Sequence, residues 1–429
     1  MKKLILFTVL IGFGLQAQTI KTEQLITDIE PKVIEWRRDF HQYPELSNRE
    51  FETSKKVAAH LEGLGLEVQT GIAHTGVVGI LRGNKPGPVV ALRADMDGLP
   101  VTERVDLPFA SKVMSTYNGI ETGVMHACGH DTHMAILMGT AEVLSEMKKD
   151  LKGTVKFIFQ PAEEGVPSGE DGGAEMMVKE GVLKNPDVDV IFGLHISSDT
   201  EVGKLEYRPK GIMAASQKFK VKILGKQTHG STPWTGKDPI FIATQIIMGL
   251  NAIISRDTEL TKEAAVISVG LIRGGVRYNI IPEEVELIGT IRTLDYDMQK
   301  KLNELMEFRV KAIAESYGAT AEINIDKGLP ITYNDPELTA EMLPSLEKTA
   351  GKDNVVLINA ITGAEDFSFY QKEVPGLFYF LGGKSPEIEL DQVTPHHTPD
   401  FIIDESGLLL GVKSMVNLTL DYMESNSGE

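Results

Sequence analysis

A single cysteine, Cys128, stands among 429 residues. That solitude excludes an intramolecular disulfide and every four-cysteine zinc scaffold. Basic residues are also in deficit, 43 Lys and Arg against 61 Asp and Glu, for a net charge of −18. Nucleic acid is thereby excluded as a partner, because its phosphates need a clustered Lys/Arg face. Internal repeats and low-complexity tracts are absent. The apolar run at residues 4–15 is shorter than the ~20 residues a membrane-spanning helix needs. What remains is an ordinary globular composition, 42% apolar and 24% charged. At about 150 residues per domain, two or three domains are expected.

The first segment is a separate object. Lys2 and Lys3 precede the apolar run, and the small, polar stretch Gln16-Ala17-Gln18-Thr19 follows it. This is the pattern of a cleavable signal peptide, so residues 1–19 are expected to be removed and the protein exported, with no membrane span in the mature chain. No cysteine follows the run to carry a lipid.

From about residue 22 the pattern alternates between helical and extended, as in an α/β chain. Helical periodicity covers 22–62 with a break at Pro44; strands are expected at 77–81, 89–92, 154–159 and 188–194, and a helix up to Met147. Residues 207–326 differ. Strand 219–223, helix 238–254, strands 265–271 and 285–293, helix 298–317 and strand 321–325 give the order βαββαβ, the ferredoxin-like signature. The fold class expected is therefore an α/β domain with an open mixed sheet, residues 20–206 and 327–429, interrupted by an inserted α+β lid domain at 207–326.

Three of the ten histidines fall within eight residues, His126-Ala-Cys128-Gly-His130-Asp131-Thr-His133. Thiolate and imidazole are ligands that zinc and similar divalent cations favour. On an extended segment Cys128 and His130 would point to one side, with Gly129 allowing a tight turn. A free cysteine by itself reads equally well as a small buried apolar residue; its histidine and aspartate neighbours favour a metal. Next, Phe159-Gln-Pro-Ala-Glu163-Glu164-Gly165 ends a strand in two adjacent carboxylates. Adjacent residues of an extended segment face opposite ways, so one could bind an ion while the other faces substrate. Metal-assisted hydrolysis needs that pair of roles, a ligand and a general base for a metal-activated water. His195 closes an apolar strand and His397 follows His396; a histidine in such a place is by default a hydrogen-bonding structural residue. Asp95 and Asp97 end another strand, and period two puts both on one side.

The ordered set LRADMDGLP (92–100), HACGHD (126–131), FQPAEEG (159–165), IFGLH (191–195), GGVRYNIIP (274–282), GAEDFS (363–368) and HHTPDF (396–401), with RRDFHQYPELSNREFET (37–53), resembles the dinuclear metal-dependent aminoacylase family. Hippurate hydrolases and indole-3-acetic acid amino-acid conjugate hydrolases belong to it, within a wider clan of metallopeptidases. The resemblance implies two divalent ions held by Cys128, His130, Glu164, His195 and His397, with Glu163 as general base and Asp97 orienting a metal-binding histidine. It implies substrate contacts by His229 and Asn279, and homodimers through the inserted domain in many members. Arg277 is a further candidate for a substrate carboxylate, against the plain alternative of a surface ion pair. The family commonly has a second histidine where this chain has Trp234.

The function expected is hydrolysis of N-acyl amino acids by an exported metalloenzyme using Mn2+ or Zn2+, with Co2+ or Ni2+ also admitted by the ligand types. Three other readings stand beside it. They are a dipeptidase or carboxypeptidase of the same clan, a non-catalytic binding protein for amino-acid conjugates, and a cysteine-nucleophile amidase built on Cys128.

Overall fold

In the computed structural model residues 2–427 are described, with side chains from residue 20. The expected leader, 1–19, lies outside the residues whose side chains are described. The chain divides into two compact units. The first comprises Met1–Pro209, Asn334–Ile358 and Phe369–Glu429, and the second Lys210–Tyr333 with Asn359–Ser368.

An eight-stranded mixed sheet forms the first unit. Three strands come early: β1 (Glu67–Ile72), β2 (Gly76–Arg82) and β3 (Lys85–Asp95). The sheet order is β1, β2, Lys152–Gln160, β3, Val190–Glu201, Gly376–Lys384, Leu205–Tyr207, Val355–Leu357. Its centre is parallel, since β3 pairs in parallel with Lys152–Gln160 and with Val190–Glu201, which pairs in parallel with Gly376–Lys384. Central parallel strands are covered on both faces, so they read as continuous apolar runs rather than alternating ones. Val155, Phe157, Ile158 and Phe159 are all fully buried, as are Leu377, Phe378, Tyr379 and Leu381. Helices α1 (Lys2–Gln42), α2 (Phe51–Gly63) and α3 (His130–Glu146) and the last helix, Leu408–Asn426, supply the covering layers. Helix α1 buries Ile26, Ile29, Val33, Arg37 and Phe40, the three-and-four spacing of one face. Helix α3 is buried from His130 through Ala141, as expected where a helix has neighbours all round.

The second unit has a separate core of Phe219, Val221, Ile223, Ile246, Leu287 and Val310 among others. Its four strands lie in the order Ala265–Gly274, Glu284–Thr293, Ala215–Leu224, Thr320–Ile325, antiparallel throughout. Two helices, Pro239–Ala252 and Tyr296–Ser316, alternate with them in the chain, each started by an aspartate side chain that accepts helix amides, Asp238 and Asp295. Among the described residues one helical stretch, Pro239–Asp257, is long and apolar enough to cross a membrane; Ile242, Ala243, Ile246 and Leu250 turn one face of it into this core. Segment 359–368, which carries GAEDFS, is tied to the second unit through Ala214 N to Gly363 O at 2.9 Å and Ile361 N to Ile212 O at 3.0 Å.

Candidate metal centre

Register sets the site's level. Asp95 pairs with Gln160, and Arg93 with Gly193, so His195 lies two residues further along its strand at the height of Asp95. The carboxyl ends of parallel strands therefore gather Asp95, the turn bearing Glu163 and Glu164, and His195, where open α/β sheets form sites. His195 does not close its strand, which continues to Glu201 because its pairing with Gly376–Lys384 runs on past the site.

Cys128 and His130 do not share an extended segment. His130 is the first residue of α3, and Gly129 before it takes φ 94°. A Cβ on Gly129 would meet Ile196 Cγ2 at 2.3 Å, so both backbone and space demand glycine there. The helix start turns His130 back onto Cys128. The two glutamates do not face opposite ways either. Ala162 adopts φ 55°, which kinks the chain so that Glu163 Oε2 and Glu164 Oε1 both lie 3.9 Å from His130 Nε2. Asp95 and Asp97 approach opposite edges of the His130 ring, Oδ2 of Asp95 at 3.7 Å from Nε2 and Oδ1 of Asp97 at 3.3 Å from Nδ1. The strand ends at Asp95, so period two no longer governs Asp97.

Cys128 Sγ lies 3.3 Å from His195 Nε2 and 3.3 Å from His397 Nε2, and His397 Nε2 lies 3.1 Å from Glu164 Oε1. Two three-ligand groups result, Cys128 with His130 and His195, and Cys128 with Glu164 and His397. Their common atom is the one sulfur. A third group joins His130, Glu163 and Glu164. His397 is half exposed while His130 is fully buried, so the cluster is open on the His397 side.

Hydrogen bonds fix the ring tautomers. Nδ1 of His130 donates to Asp97 O at 2.9 Å, and Nδ1 of His195 to Ile196 O at 2.6 Å, which turns the Nε2 atoms inward. His130 Nε2 is buried without a hydrogen bond. An imidazole lone pair ringed by carboxylates just beyond hydrogen-bond reach suits a cation between them. Burial alone would depress His130, but Asp95 and Asp97 outweigh it and push it up to about 10. Burial pushes the Cys128 thiol well up, as do the nearby Glu164 and Glu163. A divalent ion would replace these protons, because ligands bind deprotonated. Thiolate, imidazole and carboxylate together fit zinc, manganese or related ions.

The other histidines hold the cluster in place. His133 Nδ1 bonds Asp95 Oδ1 at 2.6 Å, and its Nε2 accepts from Ile196 N at 2.8 Å. By accepting that backbone amide it braces the strand beside His195. His396 works likewise, Nε2 accepting from Ser198 N at 3.1 Å and Nδ1 donating to Cys128 O at 3.1 Å. His126 is buried, pushed down to about 4 by that burial, and belongs to no ligand group found among the described residues. His41 sets its Nδ1 2.8 Å from Asp131 Oδ2 and its Nε2 3.2 Å from Glu103 Oε1.

His229, Arg277 and Asn279 belong to the second unit. His229 pairs with Ile280 in a short antiparallel bridge, and its Nδ1 accepts from Ser231 N at 3.1 Å. With Nδ1 accepting, the ring carries its proton on Nε2. Asn279 O accepts from Gly230 N at 2.8 Å. Arg277 is exposed and forms no ion pair among the described residues. Trp234 is largely exposed in the short turn Pro233–Thr235.

Residues 91–421 match the model of peptidase family M20/M25/M40. A thermostable carboxypeptidase of Saccharolobus solfataricus is 42% identical over 94% of this chain and 98% of its own length. An N-acetylcysteine deacetylase of Bacillus subtilis is 36% identical over 92% of this chain and 97% of its own. Among solved structures, a dinuclear metal binding peptidase of the M20 family from Bacillus subtilis superposes with a TM-score of 0.77 at 35% identity, covering 93% of this chain and 99% of the other. The chain belongs to peptidase family M20/M25/M40, and is a hydrolase acting on amide bonds.

Proposed function

We propose that the protein hydrolyses N-acyl amino acids with two divalent ions held by Cys128, His130, Glu164, His195 and His397. The observation that carries this is the pair of three-ligand groups sharing Cys128 with Glu163 beside them. The ions would polarise the scissile carbonyl and lower the pKa of water. Glu163 takes the proton from the attacking water and returns it to the leaving amine. Asp97 and Asp95 hold His130 and His133, and so the ligand rings, in one orientation. On the second unit, which we read as a ferredoxin-like lid, the Nε2–H of His229 is a donor of the kind that stabilises negative charge on a substrate oxygen. Arg277 and Asn279 are assigned to the substrate's carboxylate. A cysteine nucleophile is disfavoured, since burial and the glutamates raise the thiol, whereas a nucleophilic cysteine needs a lowered pKa.

The carboxypeptidase relative favours a second reading, cleavage of peptides at the carboxyl end. A panel of hippurate, N-acetyl amino acids and dipeptides, assayed with and without prior chelation, decides between them. Turnover of acylated substrates that disappears on chelation and returns with Mn2+ or Zn2+ is the expected result; cleavage of dipeptides alone would sink the acylase reading.

We also infer export and homodimers. The leader pattern supports the first. For the second, strand Ala265–Gly274 is a sheet edge in its unit, and an unpaired edge is a surface that can pair with another chain; Ile272 on it is exposed.

A further inference from the structure

The turn that carries Glu163 and Glu164 is strained. Ala162 sits in the left-handed region at φ 55°, a conformation that is unfavourable for a residue with a Cβ and persists only when its surroundings impose it. Three successive amides, those of Ala162, Glu163 and Glu164, each meet a buried carboxylate. Ala162 N donates to Glu50 Oε1 at 3.0 Å, Glu163 N to Asp97 Oδ1 at 3.1 Å and Glu164 N to Asp97 Oδ2 at 3.0 Å. Consecutive amides around a left-handed residue form an anion-binding concavity. Here the chain fills it with two of its own carboxylates.

Those carboxylates are themselves held. Thr75 Oγ1 donates to Glu50 Oε2 at 2.6 Å, and Ser47 Oγ to Asp97 Oδ2 at 2.7 Å. Glu50 and Asp97 are both almost fully buried. Burial first, and then the nearby Asp97 charge, push Glu50 up to about 8. A buried acid kept near a second one is an expensive arrangement. Through its bond to Ala162 N, Glu50 bears directly on the turn that carries Glu163 and Glu164.

We propose that Glu50 is a positioning residue which, with Asp97, clamps the amides of 162–164 and so holds Glu163 and Glu164 on the same side, facing His130. Without it, Ala162 relaxes to negative φ and both glutamates swing. The inference rests on the roles proposed above for Glu163 and Glu164, and the segment 45–53, for which the sequence offered no chemistry, thereby acquires one.

The test compares Glu50→Ala, Glu50→Gln and Thr75→Val with the wild-type chain and with Glu163→Gln. Three quantities are read: hydrogen exchange of the 160–165 segment in metal-free protein, retention of Mn2+ or Zn2+ against a chelator, and kcat and KM at saturating metal. For Glu50→Ala faster exchange is expected, with about a 10- to 100-fold loss in both metal retention and kcat, while KM moves little. Glu50→Gln keeps an acceptor for Ala162 N and should restore most of each. Should Glu50→Ala not fold, Thr75→Val decides, with a smaller loss of the same kind. Wild-type exchange and metal retention in the folded Ala variant, or in Thr75→Val if that variant is the one read, would overturn the clamp, as would a Gln variant no better than Ala. Retained turnover in Glu163→Gln would instead remove the general-base role, leaving exchange and metal retention to judge Glu50.

Discussion

At the scale of residues, the site divides into side chains whose chemistry shows in the sequence and side chains whose work is done through backbone atoms. Cys128, His130, Glu163, Glu164, His195 and His397 belong to the first kind, because thiolate, imidazole and carboxylate in ordered motifs have few common uses together. Glu50 belongs to the second. Its partner is the amide of Ala162, 112 positions away, and an amide leaves no mark in a sequence. His133 and His396 were equally opaque, since their service is to accept the amides of Ile196 and Ser198. Glu163→Gln keeps the shape of the side chain and removes the base. Turnover should fall by about a hundred- to ten-thousand-fold with metal content unchanged, measured by steady-state kinetics and elemental analysis.

At the scale of elements, strand and helix positions followed from periodicity, but the turns between them did not. Gly129 was legible as a glycine required by a turn, yet the start of α3 at His130 was not. The run after it has few polar breaks, so periodicity gives the helix without its first residue. The kink at Ala162 was hidden for the same reason that it is strained: alanine is not a residue that advertises positive φ. Helix α1 shows what a long-range pin does. His41 places a carboxylate against each ring nitrogen, Asp131 on α3 and Glu103. Burial lowers its pKa, and the two carboxylates more than reverse that, leaving it raised above 6.5. A raised folded-state pKa stabilises fully below about pH 6.5 and stops contributing as pH climbs through the folded value. Chemical denaturation of wild type and His41→Leu across pH 5.5 to 8.5, as an order-of-magnitude window around that reference value, should show a stability gap that shrinks as pH rises. A gap independent of pH would mean that the ring is neutral in the folded chain.

At the scale of the whole molecule, the acidic composition and the lone cysteine narrowed the field before any element was placed. Each unit has its own hydrophobic core. That segment 359–368 groups with the second unit was not legible in the sequence, since backbone bonds tie it there. Export makes a separate prediction: the protein recovered from its native compartment should begin near residue 20, as read by mass spectrometry of its N-terminus, and a retained residue 1–19 segment would contradict the leader. Light scattering should give twice the mass of one chain if the exposed edge of the second unit pairs two copies.

The two-ion reading rests most directly on the thiolate of Cys128 being one of the ligands that would hold the metal. Metal-free protein titrated with Co2+ tests it most directly, followed by elemental stoichiometry and by the thiolate-to-cobalt absorption band, in wild type and in Cys128→Ser. Two ions per chain, with a thiolate band that is missing from the variant, are the expected result. A single ion per chain, or two ions with no thiolate band, would contradict it.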